Sequence, residues 1–186
     1  MLNKITSQLR RINKKKDSII RVLCCPTHEG WQTLASKIPN VEWYMVSGRG
    51  IKTWDFHTRP LPPNHYFYNM PLDQMRADVP FDVILSAERF GQLPPLIQLH
   101  ERSGLPMAHL EHTEKVPQWN KKYFERVISY RPKTCIFITE HNKKSWEGLE
   151  TDIVIPHGID DSVFKDYTGG EAAGLVVCNL IVSRDV

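Results

Sequence analysis

Apolar positions come in short runs along this chain, separated by helical patterns and turns, and that alternation sets the expected fold. Residues 18–25 (SIIRVLCC) are almost uninterrupted, as a strand buried on both faces of a parallel sheet requires. The run breaks at Pro26, passes Thr27-His28-Glu29-Gly30 and leads into a helix beginning near Trp31. Residues 41–46 read as a second strand. Residues 47–80, with Gly48, Gly50, Pro60, Pro62, Pro63, Pro71 and Pro80, read as irregular around a short aromatic strand at 65–68. Further strands are expected at 81–86, 106–110, 134–139 and 152–155, and helices at 89–102, 118–129 and 140–147. Pro94-Pro95 is expected to deform the start of the first of these helices, Pro117 suits the first turn of the second, and Gly148 ends the third. Strands alternating with helices in this way imply right-handed crossovers, hence an α/β fold with a Rossmann-like parallel sheet flanked by helices.

The organisation expected is a basic leader over residues 1–17, a main domain over 18–164 and a linker over 165–174. A fresh apolar strand at 175–181 then opens the segment 175–186, which reads as the start of a second, truncated domain.

The net charge of +3 hides an asymmetry that changes the picture of the leader. Lys4, Arg10, Arg11, Lys14, Lys15 and Lys16 all precede the first acid, Asp17, and without them 18 basic residues face 21 acidic ones. Leu2, Ile5, Leu9 and Ile12 share one helical face, so residues 1–16 read either as a solvated leader or as a peripheral contact with an anionic membrane or nucleic acid. No specific nucleic-acid binding is expected. No run reaches the roughly 18 apolar residues of a membrane span, and residues 1–4 open no secretory apolar core, so the expected location is the cytoplasm. Cys24, Cys25, Cys135 and Cys178 sit inside apolar runs and read as buried, reduced thiols.

In an open parallel sheet ligands bind beyond the carboxyl ends of the strands. The polar residues at those ends are His28-Glu29-Gly30, Glu88-Arg89, Glu111-His112-Thr113-Glu114, Glu140-His141-Asn142 and His157-Gly158-Ile159-Asp160. Four of the eight histidines fall there. Thr27-His28-Glu29-Gly30 reads as a plain βα turn or as a place where backbone N–H groups receive a hydroxyl or an anion; no G-x-G-x-x-G dinucleotide fingerprint is present. His112 reads as a surface or capping histidine, or as one that exchanges a proton or bonds a sugar hydroxyl. A metal site from His109, Glu111 and His112 is poorly supported, since strand positions three apart point in opposing directions and no H-E-x-x-H helix is present. Glu140 is most simply a helix-start acid, and Trp31 is a candidate stacking platform.

Four stretches resemble GT-B fold glycosyltransferases, especially the retaining glycosyltransferase family 4 (GT4). The first strand with His28-Glu29-Gly30 resembles the glycine-bearing acceptor loop, and Pro106 through Thr113 resembles the strand that delivers a cleft histidine. Phe137-Ile138-Thr139-Glu140 with Trp146 resembles the segment before the hinge. The most specific is Val154-Ile155-Pro156-His157-Gly158-Ile159-Asp160 with Phe164. The resemblance implies the N-terminal, acceptor-side half of an enzyme moving a sugar from a nucleotide-sugar donor to a carbohydrate, lipid or protein acceptor, inactive without its donor domain. It implies no cofactor and no metal in the cleft. His112 would contact the transferring sugar, and His28, Glu29, Gly30, Glu140, His157, Gly158 and Asp160 would line the substrate site. Asn179 stands where that family commonly has Arg, and Arg184 lies near its donor-diphosphate lysine. Two other readings stay open: a non-catalytic Rossmann-like binding or scaffold module, and a sugar-nucleotide epimerase of the same two-domain shape.

Overall fold

The computed structural model describes residues 19–46, 51–68, 71, 74–75, 80–115, 125 and 131–158. The chain divides into two compact units, Met1–Pro156 and His157–Val186, and the fold described is that of the first. Its strands are β1 (Ile20–Cys24), β2 (Val41–Val46), β3 (His65–Tyr68), β4 (Val83–Ser86), β5 (Met107–Glu111), β6 (Thr134–Phe137) and β7 (Ile153–Val154). Its helices are α1 (Glu29–Ala35), α2 (Leu93–Ser103) and α3 (Glu140–Ser145). The strands form one sheet in the order β3-β2-β1-β4-β5-β6-β7, and every pairing is parallel. This is the Rossmann-like α/β architecture that the alternation of elements predicts. The order reverses between β1 and β4, where Val22 faces Val83 and Leu23 faces Ile84.

The run is buried only from Val22 onward, Ile20 and the charged Arg21 at the start of β1 being exposed, and strand alternation explains why that half is apolar. Leu23 and Cys25 pack on one face with Val46, Ile84 and the fully buried Leu93, Leu96 and Leu99 of α2. Val22 and Cys24 pack on the other with Trp43, Met45, Trp54 and Ala35 of α1. Burying each of these leucines contributes about 1.5–3 kcal/mol. A third cluster, Cys135, Phe137 and Trp146, closes the β6 end. Cys24, Cys25 and Cys135 are buried free thiols, as expected; burial pushes the Cys24 thiol up to about 12 and raises Cys25 and Cys135 as well.

Several boundaries differ from the sequence reading: α2 starts at Leu93 rather than 89, β4 starts at Val83 rather than 81, and β6 ends at Phe137 rather than 139. The first helix starts at Glu29, two residues before Trp31, so Gly30 belongs to its first turn. Pro94 and Pro95 lie in the first turn of α2, where a missing N–H costs nothing, so they fit that start without deforming it. The end of α3 is made by two residues: Glu147 adopts the left-handed conformation (φ 54°), and Gly148 follows. A Cβ on Gly148 would lie 2.6 Å from Lys143 Cγ and 3.0 Å from Lys143 O, so the approach of the chain there requires glycine. The expected helix at 118–129 falls almost entirely outside the described residues, as do the leader, the linker, the strand at 175–181 and Cys178. Among the described residues no helix is long and apolar enough to cross a membrane.

Candidate functional site

The loop leaving β1 is held from both sides. Gln32 of α1 accepts from the Thr27 N–H (3.1 Å) and donates to Cys25 O (3.2 Å). Gln92, at the start of α2, donates to Pro26 O (3.0 Å) and accepts from Thr27 Oγ1 (2.9 Å). Both glutamines are buried, so their amides are committed to the loop. The result is a rigid turn that presents His28, exposed, at the carboxyl edge of β1.

On the other side of the switch point, the carboxylate of Glu88 accepts from the N–H groups of Phe90 (2.5 Å), Gly91 (2.6 Å) and Gln92 (2.9 Å). It thereby fixes the turn from β4 into α2. His112, just past β5, reaches across to Ala87 with Nε2 donating to the carbonyl at 2.9 Å. That bond sets the tautomer: in the neutral ring Nδ1 carries the lone pair. The His112 ring lies 6.2 Å from the ring of His28, tilted by 58°. Two imidazoles, one past β1 and one past β5 on either side of β4, therefore share one rim.

Beneath this rim lies a buried polar network. Arg89 Nε donates to Glu111 Oε2 at 2.7 Å, both side chains being about 4% exposed. His109 Nε2 meets the same oxygen at 3.3 Å, and His109 Nδ1 lies 3.2 Å from Ser86 Oγ. The other Glu111 oxygen accepts from the Thr113 N–H (3.2 Å), and the Arg89 guanidinium stacks 4.3 Å from the Trp146 ring. Burial keeps His109 low in pKa and hence neutral, donating to Glu111 and accepting from Ser86. Burial by itself would raise the Glu111 carboxyl, but the His109 hydrogen bond and the Arg89 charge outweigh it and the group lies below its usual range. The network ties β4, β5 and the end of α3 together and fixes the strand end from which His112 projects. His109 and Glu111 are thus engaged with Ser86 and Arg89, and among the described residues no group of three or more His, Cys, Asp or Glu is gathered as a metal site would be.

The remaining expected residues are placed as follows. The Glu29 carboxylate is buried and held by Lys52 Nζ (2.6 Å) and the Asp55 N–H (3.3 Å), which lowers its pKa against the opposing effect of burial. Gly30 sits beside His28: a Cβ there would meet Arg59 and His28 at 3.7 Å, an ordinary contact distance. Trp31 packs edge-on against Trp43 at 6.0 Å, which places it with the core cluster beneath α1. Glu140 is exposed in the first turn of α3, whose N-cap Thr139 accepts from the Asn142 N–H at 2.9 Å. It follows β6, three strands from β1 and so about 14 Å away by ordinary strand spacing. His157 and Gly158 are exposed and belong to the second unit; Asp160 and Arg184 lie outside the described residues. Comparison with protein families, with curated proteins and with solved structures finds no match.

Sequence reasoning missed Gln32, Gln92 and the link from Arg89 to Glu111. Their roles depend on β4 lying between β1 and β5, which no local pattern announces.

Proposed function

We propose that this Rossmann-like unit is the acceptor-side half of a glycosyltransferase that uses a nucleotide-sugar donor. The reading is carried by the meeting of His28 and His112, 6.2 Å apart, at the point where the strand order reverses. Two features of that edge support a carbohydrate site: an imidazole anchored on Ala87 O, and a second imidazole beside it next to Gly30. Transfer breaks the bond from the anomeric carbon to the donor diphosphate, which leaves with the electron pair. A bond forms from that carbon to an acceptor hydroxyl oxygen, whose proton passes to the departing diphosphate. In the proposed role His112 orients hydroxyls of the transferring sugar, and a second domain carries the basic groups that offset the diphosphate charge. The acceptor is a carbohydrate, lipid or protein, the location is cytoplasmic, and residues 1–16 touch an anionic membrane surface.

The test is a binding titration of the 186-residue chain, read on the imidazole proton resonances of its histidines. Neutral oligosaccharides should shift His28 and His112, and His112→Ala should weaken binding about two- to tenfold, the worth of one hydrogen bond. Tight nucleotide-sugar binding with no response of either histidine to carbohydrate would contradict the proposal.

A further inference from the structure

The chain is held on both sides of His112. On the amino side Glu111 is paired with Arg89 beneath the rim. On the carboxyl side the grip comes from α3. Thr139 caps that helix by accepting from the Asn142 N–H, which fixes its rotation. Asn142 and Trp146, four residues apart, then share one face. Asn142 Nδ2 donates to Thr113 O at 2.9 Å, and Trp146 Nε1 donates to the same oxygen at 2.5 Å. With its N–H given to Glu111, Thr113 is held at both ends, which fixes the path of the chain out of His112. The pairs Glu114–His141 and Lys115–Glu147, both 2.9 Å, run from the same loop to α3 and the turn after it, but they are largely exposed and worth little. The buried contacts decide.

Asn142 is not the residue that packing alone would select. Its side chain is buried, and among the described residues its Oδ1 has no hydrogen-bond partner. A buried acceptor left unpaired costs stability, and a small apolar side chain would avoid that cost. Turning the amide over would only set Oδ1 against Thr113 O. What the amide supplies is a donor to that carbonyl, one residue beyond the imidazole that bonds Ala87 O across the rim.

We infer that Asn142 and Trp146 are positioning residues for His112. By holding Thr113 O from α3 they keep the His112 ring on Ala87 O, and the stability cost of doing so falls on Asn142. The inference rests on the acceptor-side reading only for the ligand that His112 meets.

The experiment compares the full 186-residue chain with Asn142→Ala and with Trp146→Phe, which keeps an aromatic ring against Arg89. Three quantities are read on each: the urea midpoint, the ring nitrogen resonances that report which nitrogen of His112 carries the proton, and the affinity for neutral oligosaccharides. His65, on β3 and four strands from β5, is the internal control. Asn142→Ala should leave the urea midpoint unchanged or higher. It should nevertheless move the His112 resonances away from the single Nε2–H form and weaken oligosaccharide binding about two- to tenfold. Trp146→Phe should move the same resonances, and His65 should stay unchanged in both variants. The inference is overturned if the His112 resonances stay the same in both variants. It is equally overturned if they move only together with those of His65 and a lowered midpoint, as general loosening would cause. If the His112 resonances move as expected but no carbohydrate binds even the wild type, the positioning role stands and the acceptor-side reading falls. If carbohydrate binds wild type and both variants equally, the acceptor-side reading stands and the positioning role falls.

Discussion

Replacing Glu111 by alanine would leave the Arg89 guanidinium facing His109 and Trp146 without its anionic partner, at a position about 4% exposed to water. Removing one member of a buried ion pair costs about 3–5 kcal/mol, because the remaining charge stays desolvated. Against a total stability of about 5–15 kcal/mol, that is a large fraction. Equilibrium urea unfolding at pH 7, followed by tryptophan fluorescence, should show the loss as a lower midpoint. Glu111→Gln should act in the same direction while nearly preserving volume. Replacing both partners, as Arg89→Met with Glu111→Leu, should recover most of the loss, since no unpaired charge is left behind. The pair also has a pH signature. The folded Glu111 carboxyl lies below its unfolded value, so its contribution is present above about pH 4.3 and fades as pH falls through the lower folded value. The difference between wild type and Glu111→Ala should therefore shrink in strong acid. A single substitution costing under about 1 kcal/mol, or a double variant costing the sum of the two singles, would refute this account.

Two glycines separate structure from function. Gly30→Ala should stabilise α1 by about 0.5–1 kcal/mol, because the new Cβ meets neighbours only at 3.7 Å. It should nevertheless weaken carbohydrate binding, because the added methyl stands against His28 at the proposed rim; unchanged binding would count against the proposed site. Gly148→Ala should instead cost about 1–3 kcal/mol, because its Cβ would press on Lys143 and on the Asp152 carboxylate; a neutral result in urea unfolding would be inconsistent with that packing. His65, stacked on Trp43 at 5.8 Å and tilted by 57° against Trp54 at 5.9 Å, is pushed down to about 4 by burial. Its folded pKa lies below the unfolded one, so stability should fall by of order 2 kcal/mol as pH drops from about 6.5 to about 4, and level off below. His65→Phe should show a flatter profile over that window, and an unchanged slope would show that His65 is not the group responsible.

What could be read from the chain follows from what each residue must satisfy locally. Residues 18–25 could be read as a central strand because both faces of β1 are covered from Val22 onward, one by α2 and the other by α1 and Trp54, although Ile19, Ile20 and Arg21 are exposed. The start of α1 was misplaced because Gly30 carries little helical preference; the helix is fixed there by Gln32 and Gln92 gripping the preceding loop, a long-range effect. The two prolines of α2 misled for a related reason: their cost depends on position within the first turn, which composition does not reveal. His28 and His112 were visible as polar residues at strand ends, yet their proximity required the strand order and the bond from His112 to Ala87, 25 residues earlier. The grip of Asn142 and Trp146 on Thr113 O was hidden for the same reason, since that carbonyl lies 29 and 33 residues earlier in the chain.

The central claim is that the carboxyl edge at the reversal between β1 and β4 binds carbohydrate, and backbone amide chemical-shift mapping tests it most directly. On titration with neutral oligosaccharides the shifts should gather at His28, Gly30, Ala87 and His112. Shifts confined to the opposite edge, around the open 420 Å³ groove lined by Ser36, Ile38, Asn40 and Asn64, would contradict it.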